Sequence, residues 1–485
     1  MELYLYRENQ EWNLVPLPRL LPQGKYELVG PFEATKAYKL LRFFNVIPFL
    51  PYRAKQFVQI NKELTTSSAS GILQRLLSPW DWHYGDKIYP GIVGLKWRCI
   101  RCGSYNVDTE ECPDCHKKNC LVCRDCYNLG PVRLCHLYKW REPGFNNERT
   151  IEPKIPFTLT NSQKKAVSEI EELIKKGQKK ILLHAACGAG KTEVAAMIMA
   201  NTLSLGGQVL YAVPRRDVAI EVGERLRNYF PEVRSVILCG GSSEKYHGEQ
   251  LVAATTHQVL KFKHTFDLTV LDEGDAFPYR GNILLNKALE KANRGIILYL
   301  TATPTKSMKK TFSSSEVVFL ASRHHKHSLP VPIFYRKGLE TAIKEIEPPL
   351  LLFVPFKKDV ANTVKWLKNH RPSWQIAGVS SETEERTELV QGIKNGSIQA
   401  LIATSVLERG ITVNGVSVIV FKADCNSIYT KEVLVQIAGR AGRTTENPEG
   451  VVLFVAKKIN KDMREAKTEI ITLNRMAKAR GELLC

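Results

Sequence analysis

The sequence predicts an α/β protein with two parallel-sheet domains in tandem, preceded by a small metal-binding module and an N-terminal α+β region. Three observations carry this reading. From about residue 150 onward, short apolar strands alternate with amphipathic stretches, the rhythm of a parallel sheet covered by helices. A glycine-rich run, His184-Ala185-Ala186-Cys187-Gly188-Ala189-Gly190-Lys191-Thr192, follows one of those strands and opens one of the helices. Eight of the twelve cysteines crowd between Cys99 and Cys135. At 485 residues the chain is too long for a single core, given roughly 100 to 200 residues per domain. The boundaries expected are 1–95 for the N-terminal region, 96–140 for the cysteine module, 150–325 for the first sheet domain and 330–485 for the second.

Residues 1–95 mix β-type runs such as Phe57-Val58-Gln59-Ile60 with a basic aromatic stretch at Trp80-Asp81-Trp82-His83-Tyr84. Aromatics interleaved with basic residues can stack single-stranded bases, but they also fill ordinary cores, which is the simpler account. In the next segment, Cys99-x2-Cys102, Cys112-x2-Cys115 and Cys120-x2-Cys123-x2-Cys126 are followed by Cys135. Such knuckles suit tetrahedral zinc, one or two ions, whose closed sulfur sites help to fold a small module. Two pairings are open. Cys99, Cys102, Cys123 and Cys126 form one site interleaved with Cys112, Cys115, Cys120 and Cys135, or the first four cysteines share the first metal. An iron–sulfur cluster fits the regular two-residue spacing less simply. A polar linker with turn residues, Trp140 to Arg149, closes the module.

The first sheet series runs through Lys180–Leu183, Val209–Val213, Thr269–Leu271 and Ile296–Leu300, with helices after Thr192 and around Val218–Leu226. The glycine-rich run is read as a phosphate loop. Backbone N–H groups of Ala185 to Gly190 cradle phosphates, Lys191 neutralises β/γ charge, and the Thr192 hydroxyl holds Mg2+. Ala185 stands where the usual pattern has its first glycine. Asp272-Glu273-Gly274-Asp275 lies directly behind the strand Val270-Leu271, which suits Asp272 to hold Mg2+ and Glu273 to orient or deprotonate an attacking water. Thr301 and Thr303 end the next strand on the same edge and can relay nucleotide state.

A second series begins at Leu350–Val354, continues through Ala400–Thr404 and Val416–Phe421, and closes at Gly450–Val455. In the basic segment Ser322-Arg323-His324-His325-Lys326-His327 between the two series, the histidines read as solvated linker rather than metal ligands. Within Gln436-Ile437-Ala438-Gly439-Arg440-Ala441-Gly442-Arg443, two arginines three residues apart are expected on one helical face, reaching a γ-phosphate across a cleft as arginine fingers. Cys187 reads as a small loop residue rather than an oxidation-sensitive switch.

This order of motifs, from about residue 155 to 456, resembles superfamily 2 helicases and translocases, which implies two RecA-like domains. In that family a glutamine upstream of the loop reads adenine, and Phe157 to Gln163 looks like this element, with Gln163 as the reader. The resemblance therefore implies ATP. Pro214-Arg215-Arg216, Ala254-Thr255-Thr256-His257 and Thr404-Ser405-Val406-Leu407-Glu408-Arg409-Gly410-Ile411 are similar to the family's strand-contacting motifs, which hold phosphates without reading bases. Ile437 stands where DEAD-box RNA helicases carry arginine, so residues 436–443 look closer to the DNA-directed replication-restart helicases. The whole layout, with Asp275-Ala276-Phe277-Pro278, resembles the ComFA family of bacterial competence ATPases. That resemblance implies a DNA translocase assisting single-stranded DNA uptake, with other competence proteins, at the inner face of the membrane.

Composition agrees with a polyanionic partner such as DNA: formal charge is +20, from 69 Lys and Arg against 49 Asp and Glu. The first residues hold acids and no apolar core of signal-peptide length, and no apolar run nears the roughly 18 residues that span a bilayer. The expectation is a cytoplasmic protein, peripheral at most to the membrane. A restart-type helicase that unwinds duplex, and a non-catalytic zinc scaffold that only binds nucleic acid, are the rival readings.

Overall fold

A computed structural model describes residues 3–8, 11–15, 27–32, 88–90, 92–93, 97–114, 116, 118–127, 130–139, 148–380, 382–383, 385–405 and 413–484. The chain divides into two compact units, Met1–Pro143 and Gly144–Cys485. Phe57–Ile60, Trp80–Tyr84, Cys115 and residues 140–147 and 406–411 of the motifs above lie outside the described residues.

In the first unit, β1 (Leu3–Glu8), β2 (Glu11–Val15) and β3 (Glu27–Phe32) form an antiparallel sheet in the order β2-β1-β3. Three two-stranded ribbons follow. β4 (Ile88–Pro90) pairs with β9 (Leu137–Lys139), β5 (Ile92–Val93) with β6 (Arg98–Cys99), and β7 (Val107–Glu110) with β8 (Cys120–Cys123). Isolated ribbons are marginal in water. Among the described residues Ile92, Leu121, Val132 and Leu134 pack among the cysteines, and Val122 is buried beside them, so the thiols make up much of this core.

The second unit holds two parallel sheets. The first comprises β10 (Lys180–Ala185), β11 (Val209–Val213), β12 (Ser235–Leu238), β13 (Leu251–Thr255), β14 (Phe266–Asp272), β15 (Asn293–Thr301) and β16 (Val317–Leu320). Their order is β12-β13-β11-β14-β15-β10-β16. The second comprises β17 (Ile333–Tyr335), β18 (Leu350–Phe353), β19 (Ile376–Val379), β20 (Ala400–Ala403), β21 (Ser417–Phe421) and β22 (Val452–Val455), in the order β17-β22-β21-β18-β20-β19. Helices cover both faces, so the central strands are buried along their whole length and read as unbroken apolar runs. One continuous core runs through both sheets, joining Leu183 and Leu300 of the first to Phe353 and Val420 of the second.

The sequence-based reading finds β10, β11, β14 and β15, and β18, β20, β21 and β22. It passes over β12, β13, β16, β17 and β19, which are three to five residues long and carry no period that separates them from loop. The segment Ser322–His327 departs from expectation. Only part of it is solvated: His324 and Lys326 are exposed, whereas Ser322, Arg323 and His325 are buried, with Arg323 only 1% exposed. Arg323 and His325 find carbonyl acceptors at Cys187 and at residues 439–442, which composition does not reveal.

Candidate functional site

The phosphate loop bridges β10 and the helix Lys191–Ser204. Ala185 is the last residue of the strand, so the loop turns only from Ala186 onward. Gly188 (φ +81°) and Gly190 (φ +87°) adopt the left-handed backbone that a side chain would strain. Gly190 has a second reason to be glycine: a Cβ there would meet Gln163 Nε2 at 2.2 Å. Gln163 is 2% exposed and belongs to the capping box of the helix Asn161–Lys175. Its Oε1 accepts from Thr160 N at 2.9 Å and its Nε2 donates to Ala189 O at 2.9 Å. The glutamine thus braces the loop from behind, with one N–H left over.

The carboxylates end β14, beside the loop strand's neighbour β15. Lys191 Nζ lies 3.1 Å from Asp272 Oδ1. Burial opposes the lysine charge, but Asp272 and Glu273 outweigh it and hold the Lys191 pKa above its ordinary value. Tyr211, at the centre of β11 and fully buried, donates to Asp272 Oδ2 at 2.9 Å and also hydrogen-bonds Thr192. Burial, then the Asp272 charge, lifts this phenol well above its usual range, so it stays a donor. The two oxygen groups expected to hold Mg2+, Thr192 and Asp272, are therefore tied together by one hydroxyl. Asp272 Oδ1 is buried without a hydrogen bond, its contact being the ion pair, and this hard oxygen set fits a magnesium ion.

Glu273 follows at φ +59°, a left-handed conformation costly for a non-glycine residue, with its N–H donated to Leu300 O at 3.0 Å. Asp275 is buried and accepts from Thr301 Oγ1 at 2.7 Å and Thr303 Oγ1 at 2.6 Å. The two threonines expected on the carboxylate edge thus bond to the acidic motif itself. Arg216 and Thr255 to His257 stand at the ends of β11 and β13, and Thr404 just past β20. These are the carboxyl ends of the strands, where parallel sheets bind ligands.

Residues 436–443 lie against the loop from the second sheet. The helix Lys431–Ala438 stops at Gly439, so Arg440 and Arg443 do not share a helical face; both belong to the turn that follows. Gly442 (φ +58°) makes that turn, and a Cβ on it would lie 2.2 Å from Pro448 O. Arg443 Nε donates to Gly439 O at 2.7 Å, and the charge of Glu273 reaches its guanidinium. Arg440 is 3% exposed. Cys187 is more than a small loop filler: its Sγ lies 3.4 Å from Gln436 Oε1, and a Cβ on Gly439 would lie 2.5 Å from Cys187 Cβ. The loop of one half and the arginine turn of the other are thus in direct contact.

In the cysteine module, Cys99, Cys102, Cys123 and Cys126 gather their sulfurs within 4.8 Å of one another, and so do Cys112, Cys120 and Cys135. Cys102 Sγ to Cys123 Sγ is 3.5 Å and Cys112 Sγ to Cys135 Sγ is 3.7 Å. Four sulfurs each about 2.3 Å from a tetrahedral zinc stand roughly 3.8 Å apart, so both clusters could hold that ion. Among the described residues, Cys99 and Cys102 group with Cys123 and Cys126, whereas Cys112 groups with Cys120 and Cys135. The antiparallel pairing of β7 with β8 brings Cys120 alongside the Cys112 end of the chain and carries Cys123 towards Cys102.

Two residues of the site escape the sequence-based reading. Tyr211 left a usable signal, since a phenol inside the buried strand Val-Leu-Tyr-Ala-Val must find a polar partner. Arg323 left none, being one cation in a basic stretch.

Residues 156–306 match the family described as type III restriction enzyme, res subunit, and residues 337–445 match the helicase conserved C-terminal domain. The chain is 34% identical over 405 residues to competence protein ComFA of Bacillus subtilis, covering 79% of this chain and 86% of the relative. It is 35% identical over 404 residues to competence protein ComFA of Streptococcus pneumoniae, covering 79% and 91%. Among solved structures, yeast (S. cerevisiae) Dbp5 bound to RNA and ADP BeF3 superposes with a TM-score of 0.46 at 16% identity, covering 65% of this chain and 91% of Dbp5. With the loop, the carboxylates and the arginine turn in place, the chain belongs to the ComFA family of competence proteins and is a superfamily 2 helicase-like ATPase.

Proposed function

We propose that the chain is an ATP-driven motor that moves along single-stranded DNA during uptake in natural competence. The observation that carries this reading is the contact of the phosphate loop of one sheet with the Arg440–Arg443 turn of the other. Catalytic groups split across two halves make turnover depend on their closure. Lys191 and the backbone of residues 185–190 bind the phosphates, and Gln163 reads adenine with its remaining amide N–H. Thr192 and Asp272 hold Mg2+, which when bound neutralises phosphate charge. Glu273 orients or deprotonates the attacking water, and Arg440 and Arg443 meet the charge that develops on the γ-phosphate. Opening and closing of the halves then shifts a grip on the strand backbone made by residues 214–216, 254–257 and 404–411.

In this reading the cysteine module holds two zinc ions, one on Cys99, Cys102, Cys123 and Cys126 and the other on Cys112, Cys115, Cys120 and Cys135. No helix among the described residues is long and apolar enough to cross a membrane. On the ComFA likeness, this reading places the motor in the cytoplasm, joined to the inner face of the membrane through other uptake proteins.

Steady-state ATP hydrolysis with single-stranded DNA, duplex DNA and RNA tests the reading, with Lys191→Ala as the control for contaminating activity. Stimulation by single-stranded DNA supports it. Indifference to every nucleic acid would remove DNA from the mechanism, and vigorous unwinding of a forked duplex would point to a restart-type helicase. Turnover abolished by Glu273→Gln would exclude a non-catalytic scaffold.

A further inference from the structure

Arg323 is the largest fully buried side chain among the described residues, and the ATP-site chemistry above gives it no role. Its Nε donates to Cys187 O in the phosphate loop at 2.9 Å. Its terminal nitrogens donate to Gly439 O at 3.0 Å, to Ala441 O at 2.8 Å and to Gly442 O. One acceptor thus belongs to the nucleotide-binding half and three to the turn that carries Arg440 and Arg443. Those three carbonyls follow the end of the helix Lys431–Ala438, where a helix leaves acceptors orphaned and where a cation meets the negative end of its dipole. Only a planar guanidinium has enough fixed donors to reach carbonyls on both sides at once.

The neighbouring histidine reinforces the same turn. His325 Nδ1 accepts from His327 N at 3.1 Å, which leaves the proton on Nε2, and Nε2 donates to Gly442 O at 3.0 Å. A second feature concerns charge. Arg323 and Arg443 both flank Gly188, their Nε atoms 3.6 and 3.9 Å from where a Cβ would stand. Among the described residues Arg323 makes no ion pair with a carboxylate. Burial, with Arg443 adding, lowers its pKa to about 9. Two desolvated cations side by side cost energy that an anion on the loop offsets.

We propose that Arg323 is a positioning residue for ATP turnover, a strap from the linker that fixes the Arg440–Arg443 turn on the phosphate loop when the loop is filled. This rests on residues 185–192 being the nucleotide site. All of its hydrogen bonds go to backbone carbonyls, so it acts through the turn rather than by a bond to the phosphates, and a lysine that keeps its charge keeps its share of anion attraction. The strap also makes the linker a mechanical part of the motor, since the chain that joins the halves is the chain that locks them.

The test uses the full chain with Arg323→Lys, Arg323→Ala and Arg443→Ala. Three quantities are measured: equilibrium binding of a fluorescent ATP analogue, kcat and KM with and without single-stranded DNA, and hydrogen exchange of residues 436–445 with and without a non-hydrolysable analogue. Arg323→Lys keeps the charge and nearly the volume, so it serves even where truncation to alanine unfolds the motor. Expected for Arg323→Lys is a kcat at least about tenfold lower, from losing several hydrogen bonds to a charged donor, with nucleotide affinity unchanged. Nucleotide-induced protection of 436–445 should vanish in both Arg323 variants and persist in Arg443→Ala. Wild-type kcat and protection in Arg323→Lys would overturn the proposal, and so would a parallel loss of binding and turnover, the mark of a merely structural arginine. Failure of the unmutated chain to bind the analogue would instead bring down the nucleotide-site reading on which the proposal stands.

Discussion

Tyr211 illustrates how a single buried hydroxyl can prepare a site. Its strand is apolar on either side, yet its phenol connects the Thr192 hydroxyl to the Asp272 carboxylate before any ion arrives. Removing the hydroxyl in Tyr211→Phe leaves the packing almost intact. A hydrogen bond to a charged acceptor is worth roughly 1.5–3 kcal/mol, so the Mg2+ concentration for half-maximal ATPase activity should rise about tenfold or more. Titrating Mg2+ at saturating ATP checks this, and an unchanged midpoint would deny Tyr211 a part in the ion site. Gln163 is similar in kind. The residue expected to read a base is also a structural brace for Ala189, so its substitution is expected to disturb the loop as well as nucleotide choice.

At the scale of elements, the ribbons of the cysteine module bury too little apolar surface to persist alone, and their cysteines sit where a core would be. The purified chain should therefore carry about two zinc ions by elemental analysis, and Cys123→Ser about one. Exhaustive chelation should abolish the ordered structure of the module while leaving the motor sheets folded, which limited proteolysis can read. A metal-free chain with an intact module would contradict it. In the motor, the ends of β14 and β15 form another such unit. Asp275 accepts from Thr301 and Thr303, so any shift of the acidic motif is felt by the segment after β15. The acidic motif is thereby connected to the carboxyl end of β15 through hydrogen bonds.

Over the whole molecule, the seam between the sheets contains two histidines held neutral. Burial lowers His184 to about 4, with Glu469 opposing and Lys309 and Lys431 adding. Burial also lowers His325 to about 4, with Arg323, His324 and His327 adding and the Gly442 carbonyl opposing. Unfolded histidine titrates near 6.5, so between about 4 and 6.5 the unfolded chain binds more protons than the native one. Stability supplied by these two groups is complete above about pH 6.5 and is lost as pH falls towards 4. Glu469, whose carboxyl is held low by Lys431 and its neighbours despite burial, adds a loss of the same sign at the acid end. Thermal denaturation of the motor should move to lower temperature between pH 7.5 and 5.5, and His325→Gln should flatten part of that dependence. A midpoint independent of pH over this interval would remove the seam histidines from the account.

Much of this protein is legible from its residues in order. A phosphate loop, a strand-terminal Asp272-Glu273 and cysteines in two-residue knuckles are local patterns, because each needs only a few neighbouring residues in fixed conformations. The parallel-sheet rhythm is local too, wherever strands are long enough to show an apolar run. Sequence alone therefore determined the class of fold, and it singled out the phosphate loop with its carboxylates, and the clustered cysteines, as candidate nucleotide and metal sites. Only the tertiary structure decided which cysteines converge, that Arg440 and Arg443 lie in a turn past a helix end, and that Tyr211 and Arg323 belong to the site at all. The cysteines meet across 15 to 27 positions, and the side-chain contacts reach further, 61 positions for Tyr211 with Asp272 and 136 for Arg323 with Cys187. A buried donor finds its acceptor only when packing brings the two together, and nothing in the residues beside it announces the partner.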